Sequence, residues 1–172
     1  MQPESHHLTE RLAEAYNRML ERAKNALERV THGHKPELHH LLEGAKDEAV
    51  KKGELSPDEA AQIARYIRRD VHDAASGMRE QRSEFREWLR FDIELVEERL
   101  GEIFARMADH TQLELDRWAE EANVQGWEAG EVTSLGTLQC VDCGQEIHFH
   151  KTTHIPHCPK CGGKMFRRPR SV

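Results

Sequence analysis

The sequence predicts a mainly α protein: an acidic helical region, built as an antiparallel helical hairpin, coiled coil or bundle, followed by a small C-terminal β module. Three observations carry this. Apolar residues recur every three or four positions from Leu8 to Met107, the spacing of amphipathic helices. Residues 1–135 hold 29 acids and 19 bases, net −10, whereas 136–172 hold 2 acids and 6 bases, net +4. All four cysteines fall in that basic end, where alternation replaces the helical period.

The elements follow in order. Leu8, Leu12, Ala15, Met19, Ala23, Leu27 and Val30 form the stripe of a first helix. His32-Gly33-His34-Lys35-Pro36 supplies a helix-ending glycine and a proline suited to a first helical turn. A second stripe then runs through Leu38, Leu41, Leu42, Ala45 and Ala49 to Lys51-Lys52-Gly53, with bases at the negative end of the dipole and glycine beyond. Ser56-Pro57-Asp58-Glu59 is a capping box that starts a third helix, whose stripe is Ala60, Ile63, Ile67, Val71, Ala74 and Met78.

Phe85, Leu89, Val96, Leu100, Ile103 and Met107 carry the pattern on towards Trp118, and the stretch from Ser76-Gly77 to Ser83 leaves its continuity open. An unbroken helix over 57–122 would be about 100 Å long at roughly 1.5 Å per residue. Two helices that fold back are expected instead, because the face near Trp88, Phe91 and Leu95 is too wide for a two-stranded seam. From Asn123 the helical period stops and Gly126, Gly130 and Gly136 punctuate the chain, so 123–135 reads as a linker between the helical region, 1–122, and the C-terminal module, 136–172. Within Gln145–Lys151, Ile147 and Phe149 alternate with His148 and His150 as a short strand.

Cys140-Val141-Asp142-Cys143-Gly144 and Cys158-Pro159-Lys160-Cys161-Gly162 are two copies of one turn, with fourteen residues between Cys143 and Cys158. Two residues between thiols let one tight turn present both sulfurs on one side, and two such knuckles complete the tetrahedron that zinc requires. The glycine after each second cysteine suits a positive φ, which turns backbone N–H groups toward the sulfurs. The module has few large apolar side chains, Leu138, Ile147, Phe149, Ile155, Met165 and Phe166, so one structural zinc is expected to fold it. Four thiolates leave no open position for water, which argues against hydrolytic zinc. A rubredoxin-type iron site and a thiol redox pair, the latter with Lys160 and Arg167 nearby, are the alternatives. The two parts are expected to fold independently.

These residues carry a resemblance. Gly130-Glu131-Val132-Thr133, Gly136-Thr137-Leu138-Gln139-Cys140, Ile147-His148-Phe149-His150-Lys151 and Ile155-Pro156 before the second knuckle resemble a bacterial family of zinc-ribbon-containing proteins of unknown function. Gly53-Glu54-Leu55-Ser56 and Arg69-Asp70-Val71-His72-Asp73-Ala74-Ala75 are similar to it too, so the likeness spans nearly the whole chain. It implies an all-helical N-terminal region and a C-terminal ribbon in a cytoplasmic bacterial protein, with no functional residue beyond the four cysteines. By analogy, the layout also resembles transcription regulators that pair an acidic coiled coil with a four-cysteine finger.

Other functions are weaker. At 172 residues the chain is too short for a large multidomain enzyme. It has no glycine-rich phosphate loop, nucleophile elbow or HExxH pair, and its carboxylates are spread as i,i+3 and i,i+4 partners of bases, so it is not expected to be an enzyme. His148, His150, His154 and His157 are read as polar surface, because four thiols need no imidazole. His6-His7, His32, His34 and His39-His40 are poor chelators, since adjacent helical positions face apart.

Lys151, Lys160, Lys164, Arg167, Arg168 and Arg170 are the candidate phosphate or partner contacts. Six cations are few, and the −10 helical part repels polyanions, so a protein partner is preferred and nucleic acid is the runner-up. Residues 84–107 hold seven acids and four bases, so the face of Trp88, Phe91, Leu95 and Phe104 is expected in the core or a homodimer rather than on anionic lipid. No apolar run approaches a membrane span and the first twelve residues are polar, which places the expected protein in the cytoplasm.

Overall fold

Ser56 fixes the clearest helix start. Its backbone N–H donates to Glu59 Oε2 at 2.9 Å, and the Glu59 N–H donates to Ser56 Oγ at 3.3 Å, which closes the capping box. In the computed structural model, which describes residues 3–30, 36–81, 97–112 and 126–169, this helix is one of four: α1 Pro3–Arg29, α2 Leu38–Lys51, α3 Pro57–Gln81 and α4 Glu98–Gln112. The Ser56 N–H, then the Arg11 guanidinium and the Ser56 hydroxyl, hold the Glu59 carboxyl below its ordinary value against a smaller opposing effect of burial. Replacing Ser56 by alanine is therefore expected to cost about 1 kcal/mol, read from urea unfolding at neutral pH. The Glu59 contribution is full above the ordinary carboxyl value of 4.5 and is lost as pH falls through the lower folded value. Alanine keeps the backbone N–H and leaves Arg11 in place, so only the smaller share of the Ser56→Ala deficit that the hydroxyl gives the carboxylate should be lost in acid.

Helix α2 ends as its sequence requires. Gly53 takes φ 69°, its N–H donates to the Val50 carbonyl and the Glu54 N–H to the Ala49 carbonyl, both at 3.0 Å, the paired bonds of a Schellman cap. Its start differs from expectation. The helix begins at Leu38 behind Glu37, so Pro36 precedes the first turn instead of occupying it, and its carbonyl accepts the His110 Nε2 hydrogen bond at 2.9 Å. Helix α3 passes unbroken through Ser76 and Gly77 to Gln81, and α4 packs against it.

All four helices share one core. Tyr16, Met19, Leu20 and Ala23 of α1, Leu38, Leu41 and Leu42 of α2, Ile63, Ile67 and Val71 of α3, and Leu100, Phe104 and Met107 of α4 are buried together. Each large apolar side chain contributes roughly 1.5–3 kcal/mol by leaving water. Phe104 is thus core, while Trp88, Phe91 and Leu95 lie outside the described residues. Arg22 reaches from α1 to Glu54 with two bonds of 2.9 and 2.6 Å and clamps the turn between α2 and α3.

The described residues from 126 on form antiparallel β structure: β1 Trp127–Glu128, β2 Val132–Thr133, β3 Gly136–Cys140, β4 Glu146–Phe149, β5 Thr153–His154 and β6 Met165–Arg167. One sheet has the order β1-β6-β3-β4, and β2 pairs with β5 separately. Leu138 lies opposite Ile147, Cys140 opposite Phe166, and Trp127 opposite Phe166. A second small core of Trp127, Leu138, Phe149, Ile155 and Phe166 fills this end.

The described part of the segment read as a linker is structured. It contributes β1 and β2, and Trp127, Val132, Thr133, Ser134 and Leu135 are buried. Val132 and Leu135 pack into the helical core, while Ala129 and Gly130 donate to the carbonyls of Lys164 and Ile155 at 2.8 Å. Two-residue strands leave no periodicity in the sequence. The glycines that suggested a loop instead make the bends, Gly130 at φ 95° and Gly136 at φ 121°.

Candidate metal centre

The two knuckles have the same backbone wiring. The Gly144 N–H donates to the Cys140 carbonyl at 3.0 Å and the Gly162 N–H to the Cys158 carbonyl at 2.8 Å. The Cys140 N–H reaches the Gln145 carbonyl and the Cys158 N–H the Gly163 carbonyl, both at 2.8 Å. Gly144 and Gly162 sit at φ 74° and 75°, the left-handed conformation that closes each turn. Pairing of β3 with β6 brings the two turns together.

The sulfurs of Cys140, Cys143, Cys158 and Cys161 all lie within 4.8 Å of one another. Cys140 Sγ stands 3.6 Å from Cys161 Sγ, and Cys143 Sγ 3.6 Å from Cys158 Sγ. These separations are far beyond a disulfide bond of about 2.05 Å. They match the edge of about 3.8 Å expected for four sulfurs about 2.3 Å from a central zinc. The donor set therefore fits zinc. Gly163 completes the cradle, because a Cβ there would approach Cys140 Sγ and Cys161 Sγ to 3.2 Å.

Burial disfavours the Cys158 thiolate, but the N–H groups of Cys161 and Lys160 and the thiols of Cys143 and Cys161 outweigh it and bring that thiol to about 7. The Gly163 N–H favours a thiolate at Cys161, yet its thiol neighbours, Cys143 foremost, and its burial raise it to about 12. Four thiols this close cannot all ionise without a cation between them.

The other expected contacts separate into two sets. Lys151, Lys160 and Lys164 are exposed. Arg167 is exposed but donates to Gln139 Oε1, at 3.1 Å from Nη2. Arg168 is turned inward: its Nε lies 2.6 Å from Asp73 Oδ2 and its Nη atoms donate to the carbonyls of Thr137 and Leu135 at 3.0 and 3.3 Å. Arg170 lies outside the described residues. Among the described residues no imidazole joins the metal-ligand cluster. His148 Nδ1 bonds Thr137 Oγ1 at 2.9 Å, and the Nδ1–H of His154 donates to the Gly130 carbonyl at 2.7 Å.

Sequence reasoning missed the residue that joins the ribbon to the helices. Asp70 of α3 is fully buried. Its Oδ2 accepts from the Tyr16 hydroxyl at 3.0 Å, the Thr133 hydroxyl at 3.1 Å and the Ser134 N–H at 2.9 Å. Its Oδ1 accepts from Trp127 Nε1 at 2.9 Å and Arg69 Nε at 3.1 Å. Burial, then the charge and hydrogen bond of Asp70, push the Tyr16 hydroxyl well above its ordinary value, so it stays a donor. Two guanidiniums, Arg69 and Arg168, lie over the Trp127 ring with 4.9 Å to its centroid. The signal was present in Arg69-Asp70 and in Trp127, but only their meeting gives it meaning.

An antiparallel sheet whose paired knuckles bring four thiols to one point defines a zinc ribbon, here joined to a helical bundle. The chain belongs to the zinc-ribbon containing domain family, whose model matches residues 6–170. It is similar to the uncharacterized protein YbeL of Escherichia coli strain K12, 33% identical over 146 residues, or 82% of this chain and 87% of that protein. The YbeL proteins of strains CFT073 and O157:H7 match to the same extent. No solved structure matches the chain. Among the described residues no helix is long and apolar enough to cross a membrane.

Proposed function

We propose that the chain is a non-catalytic adaptor that holds one structural zinc through Cys140, Cys143, Cys158 and Cys161 and docks on another protein through the ribbon. The observation that carries the docking is an apolar pair beside the knuckles. Val141 and Met165 are the exposed large hydrophobics among the described residues, at 51% and 46%, and the Val141 N–H donates to the Met165 carbonyl at 3.0 Å, so they are neighbours. The zinc supplies rigidity, and a rigid apolar pair can anchor a partner at small entropic cost. Four cysteines used as zinc ligands instead of disulfides suit a cytoplasmic setting.

The nucleic-acid reading loses weight because Arg168 is spent on Asp73 and backbone carbonyls. A zinc-linked redox sensor is the second reading, favoured by the exposure of Cys161; peroxide-triggered zinc release would identify it. The adaptor reading is tested by titrating zinc-loaded protein with duplex DNA, single strands and RNA across salt, alongside capture of partners by the wild type and by a Val141→Asp/Met165→Asp variant. The expected result is negligible nucleic-acid binding at physiological salt and loss of the captured partner in the double variant. Nanomolar binding that falls by roughly 0.9 logarithmic units per phosphate contact with rising salt would overturn it.

A further inference from the structure

We infer that the helical bundle reads the metal state of the ribbon, through Asp70 and Asp73 on α3 acting on Trp127 and Arg168; this rests on the zinc reading above. The chain of contacts is short. Cys140 of the first knuckle lies opposite Phe166 in β6, and Phe166 lies opposite Trp127 in β1. The Trp127 indole donates directly to the buried Asp70 carboxylate. One residue beyond β6, Arg168 pairs with Asp73, one turn along α3. Strands β1 and β6 therefore join the knuckles at one side and two acids of a single helix at the other.

The coupling follows from what each state leaves unpaired. The ribbon has too small a core to hold these strands without its metal. When β6 and β1 come apart, Trp127 and Arg168 withdraw from α3. Asp70 then keeps Tyr16 and Arg69 but loses the Trp127 donor, and Asp73 loses its contact with Arg168. A buried carboxylate short of one donor and a lost ion pair at the helix–ribbon join destabilise the bundle, and Val132 and Leu135 leave the shared core with them. Linkage makes the effect reciprocal: whatever weakens the join must weaken zinc binding by the same factor. The helices' own apolar stripes and the ribbon's dependence on metal predict independent folding, whereas this join argues for coupled folding.

The test uses the full chain. Helical melting is followed by far-ultraviolet circular dichroism with zinc bound and after chelation, and zinc affinity by competition with a chromogenic chelator. Wild type is expected to lose about 5 °C or more in helical melting when zinc is removed. Trp127→Phe keeps a ring in the sheet but deletes the N–H donor, and Arg168→Gln deletes the cation. Each is expected to shrink that shift by about half and to weaken zinc binding about tenfold, the size of one hydrogen bond to a charged acceptor. Helical melting that ignores removal of a zinc shown to be bound, or a full shift and unchanged affinity in both variants, would overturn the coupling alone. A chain that binds no zinc would overturn the metal reading and the coupling together.

Discussion

Replacing Asp70 by alanine is expected to destabilise the protein by about 3–5 kcal/mol, as removal of one partner from a buried charged pair does. The variant takes this acceptor from Tyr16, Trp127, Thr133 and Ser134 and one of its carboxylate partners from Arg69. Burial opposes the Arg69 charge, and Asp70 and Glu131 together now outweigh that penalty, so the variant leaves Glu131 and the Val132 carbonyl to hold it. Since a domain is stable by only about 5–15 kcal/mol, such a loss is a large share of the total. Urea unfolding followed by circular dichroism measures it. An exposed pair such as Arg106 and Glu28, 2.9 Å apart, provides the contrast, because breaking it should cost about 1 kcal/mol or less. A loss that small for Asp70→Ala would show that the join does not depend on the carboxylate.

Replacing Cys158 by serine is expected to abolish zinc retention and unfold the ribbon. A serine hydroxyl is a poor zinc ligand, and a structural site of this kind contributes on the order of 10–16 kcal/mol in small peptides. Five large buried side chains, Trp127, Leu138, Phe149, Ile155 and Phe166, are a slender core for that end of the chain. A two-dimensional amide spectrum should lose the dispersed signals of β3, β4 and β6. Retention of those signals without metal would mean that packing alone folds the ribbon.

What the sequence made legible was local. The Ser56–Glu59 box, the Gly53 cap, the stripes of α1 to α3 and the paired knuckles each depend on residues a few positions apart. They could be read without knowing where the chain goes next. The join could not, because Tyr16 and Trp127 meet Asp70 across 54 and 57 positions, and an Arg-Asp pair on a helix ordinarily belongs to a solvated face. Segment 126–135 failed for a related reason: its strands are too short for a period, and its burial is dictated by helices far upstream.

The basic tail shows the same limit. Arg168 adds to the net charge like any other base, but in the structure its charge is met by Asp73, so counting cations overstated what the ribbon offers to phosphate. The thiols were easier to read, because the two-residue spacing within each knuckle sets its local turn, and the structure gathers all four sulfurs.

The most direct measurement of the central claim, that four cysteines hold one structural zinc, is elemental analysis of the purified full chain beside its Cys158→Ser variant. The account predicts about one zinc per chain in the wild type and none in the variant. Iron in place of zinc, no metal in the wild type, or undiminished zinc in the variant would contradict it.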